Sequence, residues 1–111
     1  MILYVDMLNH KHSHDGDNLI INVDSVEYLA CRDILLNTKI TTRPYRLSRN
    51  VIVLETEKEN DCVYIALTEK DATGAANCSK IKFVGPEKTI TVNIKEEDIV
   101  IKRAVLSVGQ N

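Results

Sequence analysis

The three histidines of this 111-residue chain, His10, His12 and His14, lie within five positions of one another. In an extended backbone, alternate side chains project to the same side, so the three imidazoles would share one face of a strand. Neutral imidazoles beside a carboxylate are ligands that zinc, nickel and copper favour, and Asp15 follows the last histidine directly. These four residues are therefore the predicted ligands of any divalent transition metal, and no other cofactor is indicated.

Two interpretations of this histidine segment are open. A bound metal ion would lower the pKa of a coordinated water and make it a nucleophile for hydrolysis. Three alternate side chains of one strand, however, rarely complete a tetrahedron by themselves, and a carboxylate would have to fold back toward them. The other interpretation is a polar loop between two strands that titrates near neutral pH and holds nothing. The sequence favours the loop.

A second group of polar side chains is basic. Between Arg32 and Arg49 the sequence contains five cations and one acid, whereas residues 50–71 contain two cations and six acids. Arginine forks match phosphate and carboxylate oxygens, and a tyrosine ring offers a face on which a base can stack. Pro44 disfavours a helix here, so an irregular or extended loop is expected. The predicted ligand-binding residues of this basic segment are Lys39, Arg43, Tyr45, Arg46 and Arg49.

The basic segment predicts an anionic ligand, which is either a phosphate-bearing molecule such as a nucleotide or nucleic acid, or an acidic partner protein. The chain as a whole has a net charge of −2, whereas most nucleic-acid-binding domains are basic overall. The cations could instead pair with Glu55, Glu57 and Glu59, within the fold or between subunits. Each such exposed pair contributes about 0 to 1 kcal/mol.

Common catalytic motifs are missing from the sequence. It contains no GxSxG, P-loop or GxGxxG motif, and its 4 glycines leave little material for a phosphate-cradling loop. We therefore expect a non-enzymatic binding protein that acts through the basic segment. A homo-oligomer is expected because small sheets leave edges that subunits pair, and because the charge blocks are complementary. The alternatives are a metal-dependent hydrolase that uses the histidines, and a structural or assembly subunit, for example of a viral particle.

The cysteines Cys31, Cys62 and Cys78 are odd in number and form no CxxC pair. This pattern predicts neither a disulfide framework nor a zinc finger, and we expect buried, reduced thiols. No stretch approaches the roughly 18 apolar residues of a membrane span. Residues 1–8 carry neither a basic start nor a small-residue cleavage site. The expectation is a cytoplasmic protein with no membrane partner.

The composition predicts the elements that position these residues. The chain contains 12 Ile, 11 Val and 8 Thr but 6 Ala, which is typical of strands rather than helices. Its length suits one domain and is too short for two ordinary ones. We predict a single all-β domain over residues 1–111, with about seven to nine strands in a small antiparallel sandwich or partly open barrel. One short helix would be compatible with this fold.

Alternation of apolar and polar residues is clearest in two hairpins. Residues 80–84 and 89–94, joined by a Gly-Pro turn, form the first, and residues 51–56 and 62–68 form the second. The four consecutive aliphatic residues at the start of 51–56 predict a central strand covered on both faces. The predicted core residues are Val53, Ile65, Leu67, Ile81, Phe83, Ile90, Val92 and Ile94.

The remaining segments give weaker patterns. Residues 2–8, 19–23 and 99–108 are predicted strands, and the small residues of 71–77 predict a loop.

Residues 26–36 are compatible with two structures. Asp24 and Glu27 resemble a helical capping box, which would place Val26, Leu29, Ala30 and Ile34 on one helical face. We favour a strand, because Tyr28, Ile34 and the neighbouring threonines fit a sheet.

Overall fold

The computed structural model describes residues 1–6 and 11–94. Within these residues the chain forms eight strands and two helices. The strands are β1 Ile2–Asp6, β2 His12–Asp15, β3 Asn18–Asn22, β4 Tyr45–Ser48, β5 Val51–Glu55, β6 Cys62–Ala66, β7 Lys80–Val84 and β8 Thr89–Asn93. The helices are α1 Ser25–Leu35 and α2 Glu69–Ala75.

The strands form two four-stranded sheets. Sheet A has the order β1-β6-β5-β4, and sheet B has the order β2-β3-β7-β8. Four of the strand pairs are antiparallel, whereas β1 pairs with β6, and β3 with β7, in parallel. The predicted small, mostly β sandwich is therefore confirmed. The parallel pairs were not predicted, because alternation along a strand reports its faces and not its partner.

A single core cluster joins the facing sides of the two sheets. Both predicted hairpins are present, as β5–β6 and β7–β8. The strand β5 lies inside sheet A and buries residues on both of its faces, as predicted. Of the predicted core, Ile90 and Ile94 are half-buried and pack against the cluster, and the others are buried: Val53, Ile65, Leu67, Ile81, Phe83 and Val92.

Residues 25–35 form a helix, so the strand favoured from the sequence is wrong. A capping box starts this helix. The Asp24 carboxylate accepts a hydrogen bond from the Glu27 backbone N–H at 2.8 Å, and the Glu27 carboxylate accepts one from the Asp24 N–H at 3.1 Å. Both hydrogen bonds satisfy backbone donors that the first helical turn would otherwise leave unpaired.

The buried face of α1 also differs from the predicted helical face. Cys31, Ile34 and Leu35 are buried, whereas Val26 and Leu29 are exposed. The helix contacts β1 and β6 of sheet A and β7 and β8 of sheet B. Packing against the two sheets therefore buries side chains in the C-terminal half of the helix and leaves Val26 and Leu29 exposed.

We expect the substitution Asp24→Ala to lower the free energy of unfolding by about 1 kcal/mol, because it removes the side-chain cap of α1. Urea denaturation followed by circular dichroism measures this change. Asp33→Ala removes an exposed acid from the body of the same helix and should change stability by less than about 0.5 kcal/mol. Equal losses in the two variants would contradict a specific role for the cap.

The predicted loop at 71–77 is also wrong, because residues 69–75 form the short helix α2. The Thr68 hydroxyl caps it by accepting a hydrogen bond from the Asp71 N–H at 3.3 Å. Ala72 and Ala75 are buried in the core cluster. Small residues give no strong periodic signal, yet two buried alanines allow one helical turn to pack closely on the sheets.

The remaining strand predictions divide into two groups. The predicted strands 2–8 and 19–23 correspond to β1 and β3, while the predicted strand 99–108 lies outside the described residues. Neither α1 nor α2, the helices of the described part of the chain, is long and apolar enough to cross a membrane.

Candidate functional site

The strand β4 carries the central part of the basic segment. It is an edge strand of sheet A, and all four of its residues are exposed. Tyr45 lies opposite Val53 and Arg46 lies opposite Ile52, whereas Leu47 is the extra residue of a β-bulge. Because alternate residues of a strand face opposite sides, Tyr45 points away from the core and Arg46 points to the core side of the sheet.

The five predicted ligand-binding residues do not converge on one site. Lys39 lies beside the far end of β5, where its carbonyl accepts a hydrogen bond from the Glu57 N–H at 3.0 Å. Arg49 lies at the other end of β5, just before Val51. Arg43 is close enough to Cys78 for its charge to act on that thiol. The five residues therefore lie along β4 and near the two ends of β5, and their role in binding stays a prediction.

The Arg46 guanidinium is held by three groups. Its Nη1 donates to the Thr73 hydroxyl at 3.1 Å, and its Nη2 donates to the Arg49 carbonyl. The same Nη2 lies 3.9 Å from a Glu69 carboxylate oxygen. Arg46 therefore fastens the edge of sheet A to α2, and its positive charge is partly offset by a neighbouring acid.

The histidines of β2 lie on the opposite side of α2 from this arginine. His12 and His14 are opposite Ile21 and Leu19 in the register of sheet B, so both face the core side. His12 Nε2 donates to the Asp71 carboxylate at 2.9 Å. The His14 ring packs on Gly74, where an added Cβ would lie 3.4 Å from the imidazole Cε1.

Of the predicted metal ligands, the structure describes His12, His14 and Asp15, and the two histidines share a face. Asp15 alternates with His14 and faces away from it, and His10 lies outside the described residues. Among residues 1–6 and 11–94, no group of three His, Cys, Asp or Glu side chains is arranged to hold a metal ion. The carboxylate that does reach His12 is that of Asp71, 59 positions away, and sequence spacing gave no signal for it.

Asp71 is held as a carboxylate by its neighbours. The Thr68 hydroxyl donates to Asp71 Oδ2 at 2.6 Å, and the His12 ring donates to the same oxygen. The Thr68 hydrogen bond first, and then the His12 hydrogen bond, lower the pKa of Asp71 below its ordinary value of 3.8. A lowered folded-state pKa means that the ionised form stabilises the fold.

This gives a prediction for the pH dependence of stability. Asp71→Asn should destabilise the protein most at pH values above 3.8, where the unfolded-state carboxyl is ionised. The difference from the native chain should shrink as the pH falls below 3.8 and through the folded-state pKa. Urea denaturation across this range measures it, and Asp17→Asn controls for loss of an exposed acid. A difference that stays constant down to the acid limit would contradict the proposed role of the carboxylate.

The three cysteines are buried free thiols, as the sequence predicted. Cys31, Cys62 and Cys78 are free and buried. Burial raises the pKa of Cys31 to about 12 and that of Cys78 to about 11. These two thiols are therefore protonated at neutral pH and are poor nucleophiles.

The helix α2 contacts both groups of residues that the sequence singled out, the histidines and the basic segment. Asp71 and Gly74 contact the histidines of β2, while Glu69 and Thr73 contact Arg46 of β4. These polar contacts use His12, His14 and Arg46 to hold the fold together, and the exposed edge of β4 lies beside them. Comparisons of the chain with protein-family models, with curated proteins and with solved structures give no significant match.

Proposed function

We propose that this protein is a non-enzymatic binding module that takes up an acidic, extended segment of a partner protein along the outer edge of β4. The observation that carries the proposal is the exposure of this strand: it ends sheet A, and each of its four residues is exposed. Within the part of the chain that the structure describes, β4 pairs with β5 on one side only.

The backbone of an edge strand supplies the affinity in such a complex. Its outward N–H and C=O groups are a template for a further strand, as in strand-addition complexes of other proteins. The short length and the bulge at Leu47 limit the number of ladder hydrogen bonds. Both features also restrict indiscriminate pairing, because they leave room for only a short segment.

The side chains of β4 define the chemistry of the partner. A strand added at this edge would place one set of alternate side chains beside Tyr45 and the other set beside Arg46. Apolar residues suit the first position. Acidic residues suit the second because Arg43 and Arg49 make the region positively charged, while Arg46 itself is already bonded to α2. Arg43 and Arg49 lie near the two ends of β4 and add positive charge. The favoured partner segment therefore alternates apolar and acidic residues.

A phosphate-bearing ligand is less well supported. Tyr45 and Arg46 face opposite sides of the sheet, so a base stacked on the tyrosine could not present its phosphate to that guanidinium. The Arg46 donors are already shared between Thr73 and the Arg49 carbonyl. Strand addition does not require Tyr45 and Arg46 to face the same side, because the backbone of β4 makes the hydrogen bonds to the added strand.

A titration followed by ¹⁵N nuclear magnetic resonance tests the proposal. The probe is a short peptide that alternates valine and glutamate, compared with inorganic phosphate, adenosine triphosphate and oligothymidylate. We expect the peptide to shift the amide signals of β4. Arg43→Ala combined with Arg49→Ala should weaken binding about tenfold, and added salt should weaken it further. Arg32→Ala removes an exposed arginine from α1 and serves as the matched control.

Backbone methylation of the peptide provides a second control. Methylating the amides on one edge of the peptide removes donors without changing its charge, so it should abolish binding, while methylation of the other edge should be tolerated. Equal tolerance of both methylated peptides would overturn strand addition. Binding of phosphate, nucleotide or oligothymidylate at β4 in place of the peptide would favour the phosphate-bearing ligand instead.

A further inference from the structure

The Arg46 guanidinium of β4 contacts groups of two kinds. Two of them are neutral oxygens, the Thr73 hydroxyl at 3.1 Å and the Arg49 carbonyl. The third is charged: a carboxylate oxygen of Glu69 lies 3.9 Å from Arg46 Nη2. This separation exceeds the roughly 2.7 to 3.2 Å of an N–H···O hydrogen bond. The Glu69 carboxylate therefore acts on Arg46 through its charge.

The two neutral contacts hold the guanidinium in place. The Thr73 hydroxyl donates to the Glu69 backbone carbonyl at 3.2 Å, one helical turn earlier in α2, and its oxygen still accepts a hydrogen bond from the arginine. The Arg49 carbonyl belongs to the turn that joins β4 to β5. The side-chain carboxylate of Glu69 takes no part in either hydrogen bond, so its removal leaves both neutral contacts intact.

The charged contact between Arg46 and Glu69 is the weakest of the three. The Glu69 side chain is 63% exposed and the Arg46 side chain is 35% exposed. An ion pair with this exposure contributes little, because water and salt screen both charges and two long side chains lose freedom when they are held together. Replacing the Glu69 carboxylate by another carboxylate at Arg46 is therefore easy.

A strand added beyond β4 would bring such a carboxylate to Arg46. The partner residue paired with Arg46 would have its Cβ about 4.5 to 5.5 Å from that of the arginine and would lie on the same face of the sheet. A guanidinium carries several N–H donors in a planar fork, so a partner carboxylate can bind it while the contacts to Thr73 and Arg49 persist. Glu69 would then be a second negative charge at the same arginine.

We propose that Glu69 is a specificity-determining residue of the β4 edge: it competes with an acidic side chain of the partner segment for Arg46, and that side chain displaces it on binding. The inference rests on the proposed function and deepens it. A partner glutamine leaves Glu69 at the guanidinium, whereas a partner glutamate moves it away. The competition therefore sets how strongly β4 distinguishes an acidic residue from its neutral amide.

Titration calorimetry with two peptides tests the competition. One peptide alternates valine and glutamate, the other alternates valine and glutamine, and the measured quantity is the ratio of their affinities. Glu69→Gln keeps the shape of the side chain and removes its charge, so it should raise the ratio about fivefold at low salt. Glu59→Gln, at an exposed acid of the loop between β5 and β6, makes the same change in net charge and should leave the ratio within about twofold.

Two further measurements identify Arg46 as the shared group. In the Arg46→Met background, Glu69→Gln should no longer change the affinity ratio, because the group for which the carboxylates compete is gone. Circular dichroism shows whether each variant is folded. In the native chain, which needs no substitution, the glutamate peptide should shift the ¹⁵N amide signals of α2 together with those of β4. The glutamine peptide should shift those of β4 and leave those of α2 unchanged.

The outcomes separate this inference from the proposed function. If both peptides bind at β4 and Glu69→Gln leaves their affinity ratio unchanged, the competition is wrong and the proposed function stands. Equal gains in Glu69→Gln and Glu59→Gln would assign the effect to net charge and overturn the competition. A gain that persists in Arg46→Met would overturn it too, since another cation would then be the shared group. Failure of both peptides to bind the native chain would overturn the proposed function and the competition together.

Discussion

Phe83→Ala is expected to lower the free energy of unfolding by about 3 to 5 kcal/mol. Phe83 is fully buried in β7, an inner strand of sheet B, where it lies opposite Ile21 on one side and Ile90 on the other. Removing the ring deletes apolar contacts and leaves a cavity that a close-packed core fills only in part.

Urea denaturation of the Phe83 variant measures this loss. Lys82→Ala is the matched control, since Lys82 is adjacent in the same strand and points to the opposite face. We expect its effect to be much smaller. An unchanged unfolding midpoint for Phe83→Ala would show that this face of β7 is not the core face.

Ile34→Ala is expected to cost about 2 to 5 kcal/mol. Ile34 is fully buried on α1, the helix that contacts strands of both sheets. Its truncation leaves a cavity where the helix joins the two layers. The effect is large because this side chain is fully buried within the core cluster.

Val26→Ala on the same helix is the control for Ile34. Val26 is 77% exposed, so its truncation should change stability by less than about 0.5 kcal/mol. Denaturation curves of the two variants, measured side by side, decide which face of α1 is buried. Similar losses at both positions would contradict the observed orientation of the helix and favour the face that the sequence predicted.

The two hairpins were predictable because their information is local. In β7 and β8 the apolar and polar residues alternate, and the connecting turn begins with Gly85 and Pro86. Each arm lies next to the other in both sequence and space, so the period of two and the turn chemistry are sufficient.

The helices were harder to predict because packing decided them. The α1 segment carries a capping box, but its β-branched and aromatic residues also suit a strand. The α2 segment is too short and too rich in alanine to show a period. In both cases the helix forms where two sheets offer it a surface, and that surface is not visible in the local sequence.

The same contrast between local sequence information and long-range packing applies to the candidate site. The sequence identified the basic segment and the histidines by residue type, but not their partners. Asp71 and Thr73 lie on α2, where Asp71 contacts His12 and Thr73 contacts Arg46, and both partners are distant in the sequence. Side-chain spacing along a strand predicts which residues share a face, as it did for His12 and His14.

By itself, the sequence determined the β-rich composition, both hairpins, the central position of β5 and the buried, free cysteines. These properties follow from hydrophobic burial and backbone periodicity, which act over a few residues. Only the tertiary structure decided the parallel strand pairs, the two helices and the positions of the five predicted ligand-binding residues around β4 and β5. The physical reason is that each of these depends on which strands become neighbours, and neighbours are selected by the packing of the whole chain.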